Sequence, residues 1–464
     1  MAYLGNTPTT QSFISGTDYF NGTGAQTAFT LSRTVASVND IQAVVNNVVQ
    51  VPNDAYTISG TTITFTSAPS AGTQNVYVRY LSTTTQAITP SQGTVSWSTL
   101  DSNVRGDLGI SFKNRIINGA MQIDQRNAGA SFSSSVNGVY SLDRWYNQNN
   151  TGGTRFSVQQ DAGAVTPPAG FTDYLGVTTA SAYTVGSSNV IGIGQYIEGY
   201  NIADLGWGTA NAKTVTLSFW VRSSLTGTFG GSLHDGNAAT AFYPYTYTIS
   251  AANTWEYKTV TVVGPTIGTW QATNSRGLSV LFNLGTGATF SGAAGSWSAS
   301  ANYAPTGAVS VVATSSATFY ITGVMLEVGT QATTFTTAGG SYGAELALCQ
   351  RYFQTYGYGA NGTTGDSCIG SGMFYTAGEL LITAQFLVIM RAVPTYSCAT
   401  VTNGFRYHRA GAATNFDTVP YFGSTSTSAA IIGSLSVPVS GTAGYATQVY
   451  AQASGAKINF SAEL

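Results

Sequence analysis

Charge is what this 464-residue sequence has least of: Lys, Arg, Asp and Glu together make up 8% of it, against about 25% in an ordinary soluble domain. There are four lysines, six glutamates and two histidines, and the net charge is -2. Its 17 scattered cations offer no basic stripe for neutralising phosphates, which excludes nucleic acid as a partner. Two histidines are too few for a His-rich metal centre, and neither a metal nor a cofactor is expected. The three cysteines, Cys349, Cys368 and Cys398, are odd in number and widely spaced, and they read as three buried thiols. Long apolar runs are missing as well. The most conspicuous, Phe386 to Met390, has five residues, far below the roughly 20 that a membrane-spanning helix needs, so the chain is not expected to be membrane-embedded. The opening MAYLGNTPTTQSF has neither the basic nor the apolar region of a secretory signal, so secretion by the cell that makes it is not expected.

What is abundant points the other way. Hydrophobic residues reach 43%, with 27 Tyr, 22 Phe and 7 Trp, enough to bury a large core and to exclude disorder. The 54 glycines and the many Thr and Ser residues form a strand-and-turn palette, and the length implies two to four domains. The fold class is therefore all-β, with several sandwich or jelly-roll domains in series and short helices at the junctions.

Residues 1–81 read as an N-terminal β-sandwich, with alternating runs at Ala28–Ser32, Ile41–Pro52, Tyr56–Pro69 and Asn75–Leu81. Within the third, Ser59-Gly60-Thr61-Thr62 predicts a hairpin. Residues 82–113 are a Ser/Thr-rich linker with a short helix over Ser98–Leu108. Residues 114–340 carry the strand patterns of a jelly roll at Thr214–Ser224, Thr254–Gly264, Gly277–Gly285 and Ala317–Gly329. Residues 341–464 open with Leu346, Cys349, Phe353 and Tyr356 at helical spacing over about three turns, then revert to the strands of a C-terminal tip domain.

The segment from Phe20 to Tyr80 resembles the N-terminal sandwich of bacteriophage tail fibres and other tail appendages. So do KNRIINGAMQIDQRNAG (Lys113 to Gly129), YSLDRWY, FYITGVMLEVGTQATTF, YGAELALCQRYFQTYG and MRAVPTY, in that order along the chain. LSFWVRSS, TWEYKTVTV and FYITGVMLEVG also resemble a carbohydrate-binding-module jelly roll. The resemblance implies a homotrimeric virion protein, assembled in the infected host cytoplasm. Its N-terminal domain would join the phage tail or an adaptor protein. The rest would adhere to a host surface glycan such as lipopolysaccharide, or to an outer-membrane receptor. Under that resemblance the spacing of Leu346, Cys349 and Phe353 reads as a seam where three copies meet near the fibre axis. Two other readings stay open: a purely structural spacer or adaptor, and a tailspike that depolymerises polysaccharide.

Candidate groups for chemistry are few. Glycan cleavage needs two facing carboxylates, and the 19 acids are spread thinly. His234-Asp235 reads as a Gly-flanked loop pair, and His408 has no carboxylate nearer in sequence than Asp417, so no catalytic residue is assigned and no enzyme is expected. Binding a sugar asks only for flat aromatic faces with amide, carboxylate or Arg groups beside them. Large aromatics are mostly buried, and Trp145 is expected in the core. Trp207, Trp270 and Trp297 stand apart because glycines and small polar residues surround them, and Tyr303, in a loop like Trp297, joins them as a candidate. Arg406, Tyr407, His408, Asp417 and Tyr421 form a second candidate group, in what reads as long loops between strands, either for recognition or for a trimer seam.

Overall fold

The computed structural model describes residues 16–81, 112–236, 239–357, 366–434 and 439–464. The chain divides into two compact units, Met1–Thr99 and Leu100–Leu464. The helix expected over Ser98–Leu108 lies outside the described residues.

The first unit is an antiparallel sandwich. One sheet runs Thr17–Gly22, Gly72–Tyr80, Ile41–Val45, Val48–Val49, and the other Ala28–Thr30, Thr62–Phe65, Tyr56–Ser59. Phe29, Tyr56, Ile63 and Phe65 from one sheet meet Ile41, Ala43, Val76 and Val78 from the other. Two tight reversals set the register. Gly60 has φ 61, and Asn46 and Asn47 have φ 48 and 65, the left-handed conformations that two-residue hairpins use. The second reversal splits the expected run from Ile41 to Pro52 into two strands.

The second unit begins with a jelly roll of two six-stranded antiparallel sheets. In one, the order is Phe242–Ile249, Gly227–Asp235, Arg276–Thr286, Val190–Glu198, Trp145–Asn149, Val139–Leu142. In the other it is Glu256–Val262, Val215–Ser223, Thr318–Val328, Leu175–Thr179, Phe156–Gln160, Phe132–Ser133. Alternation decides what faces inward: Val215, Leu217, Phe219 and Val221 are all fully buried, and they meet Phe229, Val280 and Phe282 in one continuous core. Trp145 is in that core, as expected.

Helix Tyr342–Gln350 then leads into the tip, and Ser341 caps it by accepting from the Ala344 amide. A three-stranded sheet has the order Phe353–Gly357, Lys457–Ser461, Thr395–Cys398. A seven-stranded sheet has the order Ala412–Phe416, Phe405–Arg409, Ala446–Ala451, Ser367–Thr376, Glu379–Gln385, Ala429–Ser434, Tyr421–Thr425. Their shared core includes Phe374, Ile382, Phe405, Tyr407, Val449 and Phe460.

Three expectations are corrected here. The helical stripe stops at Gln350, and Phe353 and Tyr356 lie on a strand. Arg351 and Tyr352 bind Glu198 at 2.7 and 2.5 Å and turn the chain into pairing with Lys457–Ser461. Cys349 packs with Ile117, Ile123, Tyr352 and Leu464 of the same chain, so this face of the helix is already taken and does not form the expected seam. Of the three thiols, only Cys349 is buried; Cys398 is half-buried, and Cys368 is exposed because it sits on the outward face of its strand.

Jelly roll and tip are joined by a buried polar junction. The Glu345 carboxylate accepts from the Asn118 and Gly339 amides at 2.5 and 2.6 Å, and burial pushes its pKa above the ordinary range. The Asn118 side chain ties the carbonyls of Ile123 and Asp143 together. Five arginines converge on or beside the last three residues. Arg126 and Arg144 pair with Glu463, Arg276 and Arg391 donate to backbone carbonyls of residues 462–464, and Arg351 holds Glu198.

Candidate functional site

The tryptophans marked out by sequence do come together. Trp207 lies edge-on to Trp270 and Trp297 with ring centroids 4.8 and 5.5 Å apart, and Trp270 and Trp297 are 5.6 Å apart. Each indole N-H is committed to a backbone carbonyl, of Lys213, Ile267 and Val263 respectively. Trp207 is buried in the jelly-roll core, while Trp270 and Trp297 are half-buried at its margin. With their polar handles used internally, the three rings act first as a plug for that end of the sandwich. Trp220 lies within a strand as expected; Trp255 directly precedes one, with its N-H on Thr166 O.

Tyr303 is apart from them, packed on Phe242, Phe290 and His234 over the outer face of a jelly-roll sheet. The expected His234-Asp235 loop pair is instead the end of strand Gly227–Asp235. Alternation sends the two side chains to opposite faces. His234 stacks on Phe242 beneath Tyr303, and burial there pushes its pKa down to about 3, so it is an uncharged buried imidazole. Asp235 accepts from the Thr240 amide and hydroxyl.

The second group is corrected from loop to sheet. Arg406, Tyr407 and His408 lie on strand Phe405–Arg409, where Phe405 and Tyr407 face the core and Arg406 and His408 face outward. Tyr407 is 2% exposed and donates to Ser440 O, so it is structural. Asp417 is an exposed loop acceptor for the Asn403 amide. Tyr421 opens the strand at the far edge of the same sheet.

Register brings further residues beside Arg406 and His408. One row across four strands reads Asn415, Arg406, Tyr450, Cys368; the next reads Ala413, His408, Gln448, Ser371. Strand spacing makes this face roughly 14 Å wide. His408 meets the Tyr450 ring edge-on at 5.1 Å, and the Tyr450 hydroxyl donates to Gln448 Oε1 at 2.8 Å. Arg406 is ion-paired with Asp366. His408, Gln448 and Asn415 are exposed, with Tyr450 and Arg406 half-buried. The result is a flat, rigidly backed surface bearing an aromatic ring, an imidazole, a guanidinium and amides, able to donate to and accept from a polyhydroxylated ligand. Tyr450 and Gln448 were missed as site residues, although the alternation of YATQVYAQA already places them on the face opposite Val449. Among the described residues, no three His, Cys, Asp or Glu side chains converge as metal ligands, and no helix is long and apolar enough to cross a membrane.

No family model matches the chain, and no curated protein is similar to it in sequence. Among solved structures it is similar to a candidate sugar-binding protein from Bacteroides thetaiotaomicron, at 12% identity over 47% of this chain and all of that one (TM-score 0.27). It is similar to a family 11 carbohydrate-binding module from Clostridium thermocellum in complex with a mixed-linked tetrasaccharide, at 12% identity over 43% of this chain and 94% of that one (TM-score 0.22). It is also similar to the enzymatically active domain of tailspike protein 4 of bacteriophage CBA120, at 12% identity, covering 47% of this chain and 22% of that one (TM-score 0.24).

Proposed function

We propose that this chain is a non-enzymatic, glycan-binding tail fibre of a bacteriophage, acting as a trimer on the virion, and that the outward face of its seven-stranded tip sheet contacts the host. The observation that carries the reading is the pair of outward rows in which Arg406 and Tyr450 stand beside His408 and Gln448 on a sheet whose other face is core. A rigid scaffold presenting aromatic and multivalent hydrogen-bonding groups to solvent suits recognition of hydroxyl-rich ligands. The sequence resemblance supplies the phage context and the trimer.

Point substitutions test this better than truncation at residue 343, because removing the tip would also strip Glu463 from the buried arginines. His408→Ala and Tyr450→Ala should each weaken binding of the full chain to host surface polysaccharide about tenfold, or 1.4 kcal/mol, with an unchanged melting temperature. Undiminished binding in the double variant would overturn the assignment of this face. Mass measurement in solution tests the trimer, and a stable full-length monomer contradicts it.

A further inference from the structure

Where the jelly roll meets the tip, a groove of about 250 Å³ opens between the two. Its floor is the three-stranded tip sheet, where register sets Asn459 beside Ser397 and Ser461 beside Thr395. Phe132, Arg126 and Tyr140 line it from the jelly roll and Tyr396 from the tip.

Three features of this lining define its ligand. First, the Asn459 amide and the Ser397 and Ser461 hydroxyls have no hydrogen-bond partner among the described residues, although they stand side by side on a hydrogen-bonded sheet. Each can both donate and accept, which matches the hydroxyls of a sugar, themselves both donors and acceptors. Second, Arg126 is the one charged residue of the lining, and its charge is already met by Glu463 at 2.7 Å. Its guanidinium carbon lies over Phe353, 3.8 Å from the ring centroid, and its Nε is buried without a protein partner. It is fixed in place by these contacts and presents no unmatched charge to an anion. Third, the half-buried Phe132 ring supplies an apolar face of the kind that stacks on sugar C-H groups. The volume is below the roughly 300 to 1,000 Å³ of pockets for drug-sized ligands, which suits a single ring.

We propose that this groove is a second saccharide site that takes a single uncharged sugar ring, with Asn459 and Ser397 reading its hydroxyls and Phe132 its apolar face. It is separate from the tip face, and its position at the junction means that an occupant touches both jelly roll and tip.

Saturation-transfer NMR on the full chain tests it, with the methyl glycosides of glucose, galactose, mannose and N-acetylglucosamine as neutral probes and N-acetylneuraminic acid as the charged one. At least one neutral probe is expected to bind with a dissociation constant in the millimolar range. Asn459→Ala and Phe132→Ala should weaken it tenfold or more, and Ser397→Trp, which fills the groove from an exposed position without emptying a packed one, should do the same. The His408→Ala/Tyr450→Ala variant should bind that probe like the wild type. Binding that survives Ser397→Trp, a preference for the charged probe, or no transfer from any of them overturns the proposal. So does a signal lost in the tip-face variant but kept in the groove variants, which would place the sugar on the tip face alone.

Discussion

Replacing Glu463 by Ala is the sharpest test of how the second unit holds its jelly roll and tip together. The Glu463 side chain is 6% exposed and bridges Arg126 and Arg144, which are 13% and 1% exposed. Arg144 is also held at φ 70, in the left-handed region that costs a non-glycine residue energy. Its other contacts are Tyr196 O at 2.5 Å and the face of Tyr352 at 3.6 Å, and its Nε has no partner. Without Glu463 a nearly dehydrated guanidinium keeps one carbonyl and one ring. Breaking a buried pair from one side costs about 3–5 kcal/mol. Glu463→Gln keeps the shape and one acceptor, so it should cost about 1.5–3 kcal/mol, the range for a hydrogen bond to a charged group. The assay is urea unfolding of the full chain, reading the midpoint at constant slope. Adding Arg144→Met to Glu463→Ala should recover much of the loss, because the unpaired charge leaves with the arginine. A Glu463→Ala variant within about 0.5 kcal/mol of wild type, the size of an ordinary surface substitution, would refute the claim that this cage is structural. So would a double variant no more stable than the single one.

Three further outcomes follow from the packing. Burial pushes Asp143 up from 3.8 to about 7, so the native carboxyl keeps a proton that the unfolded chain has already lost, and stability falls as pH rises from about 4 to 7. Asp143→Asn removes this slope; melting curves of the two proteins that stay parallel over that range would disprove it. Gly119→Ala would place a methyl 2.1 Å from Val324 O, across a backbone hydrogen bond of 2.9 Å, and should cost about 1–3 kcal/mol in chemical denaturation. Trp207→Ala should cost about 3–5 kcal/mol, from the emptied core position and the two lost ring edges, and a near-neutral result would show that the tryptophan plug is not structural.

What was legible in the sequence depended on how local its cause is. Val215, Leu217, Phe219 and Val221 alternate without interruption, and the strand follows from their burial alone. Leu346, Cys349 and Phe353 keep helical spacing equally well, yet the helix ends before Phe353 because Glu198, about 150 residues earlier, captures Arg351 and Tyr352. No periodicity carries that information. FRYHR reads as loop because only two of its five side chains are core-facing and the others are polar, which is also what an open-faced strand looks like. The groove is illegible for a similar reason: Ser397 and Asn459 meet only through strand pairing between distant segments, and Arg126 reaches them only through its contacts with Phe353 and Glu463.

The scarcity of charge then takes on a different meaning. Four of the six glutamates, Glu198, Glu327, Glu345 and Glu463, have side chains no more than 6% exposed, and five arginines are engaged at the junction. Charge in this unit is thus spent largely on internal construction, and on the tip face Arg406 is matched by Asp366. A net charge of -2 over the whole chain leaves little field to steer an anionic partner. Under the proposed function, binding to this face would come from hydroxyl, amide and ring contacts, which salt does not screen. Binding of the full chain to host polysaccharide should therefore change less than twofold between about 0.05 and 0.5 M NaCl, a range over which the Debye length falls roughly threefold. A steep loss across that range, abolished by Arg406→Gln, would mean that Arg406 leaves Asp366 to grip an anionic group, and would refute the view that this face binds without ion pairing.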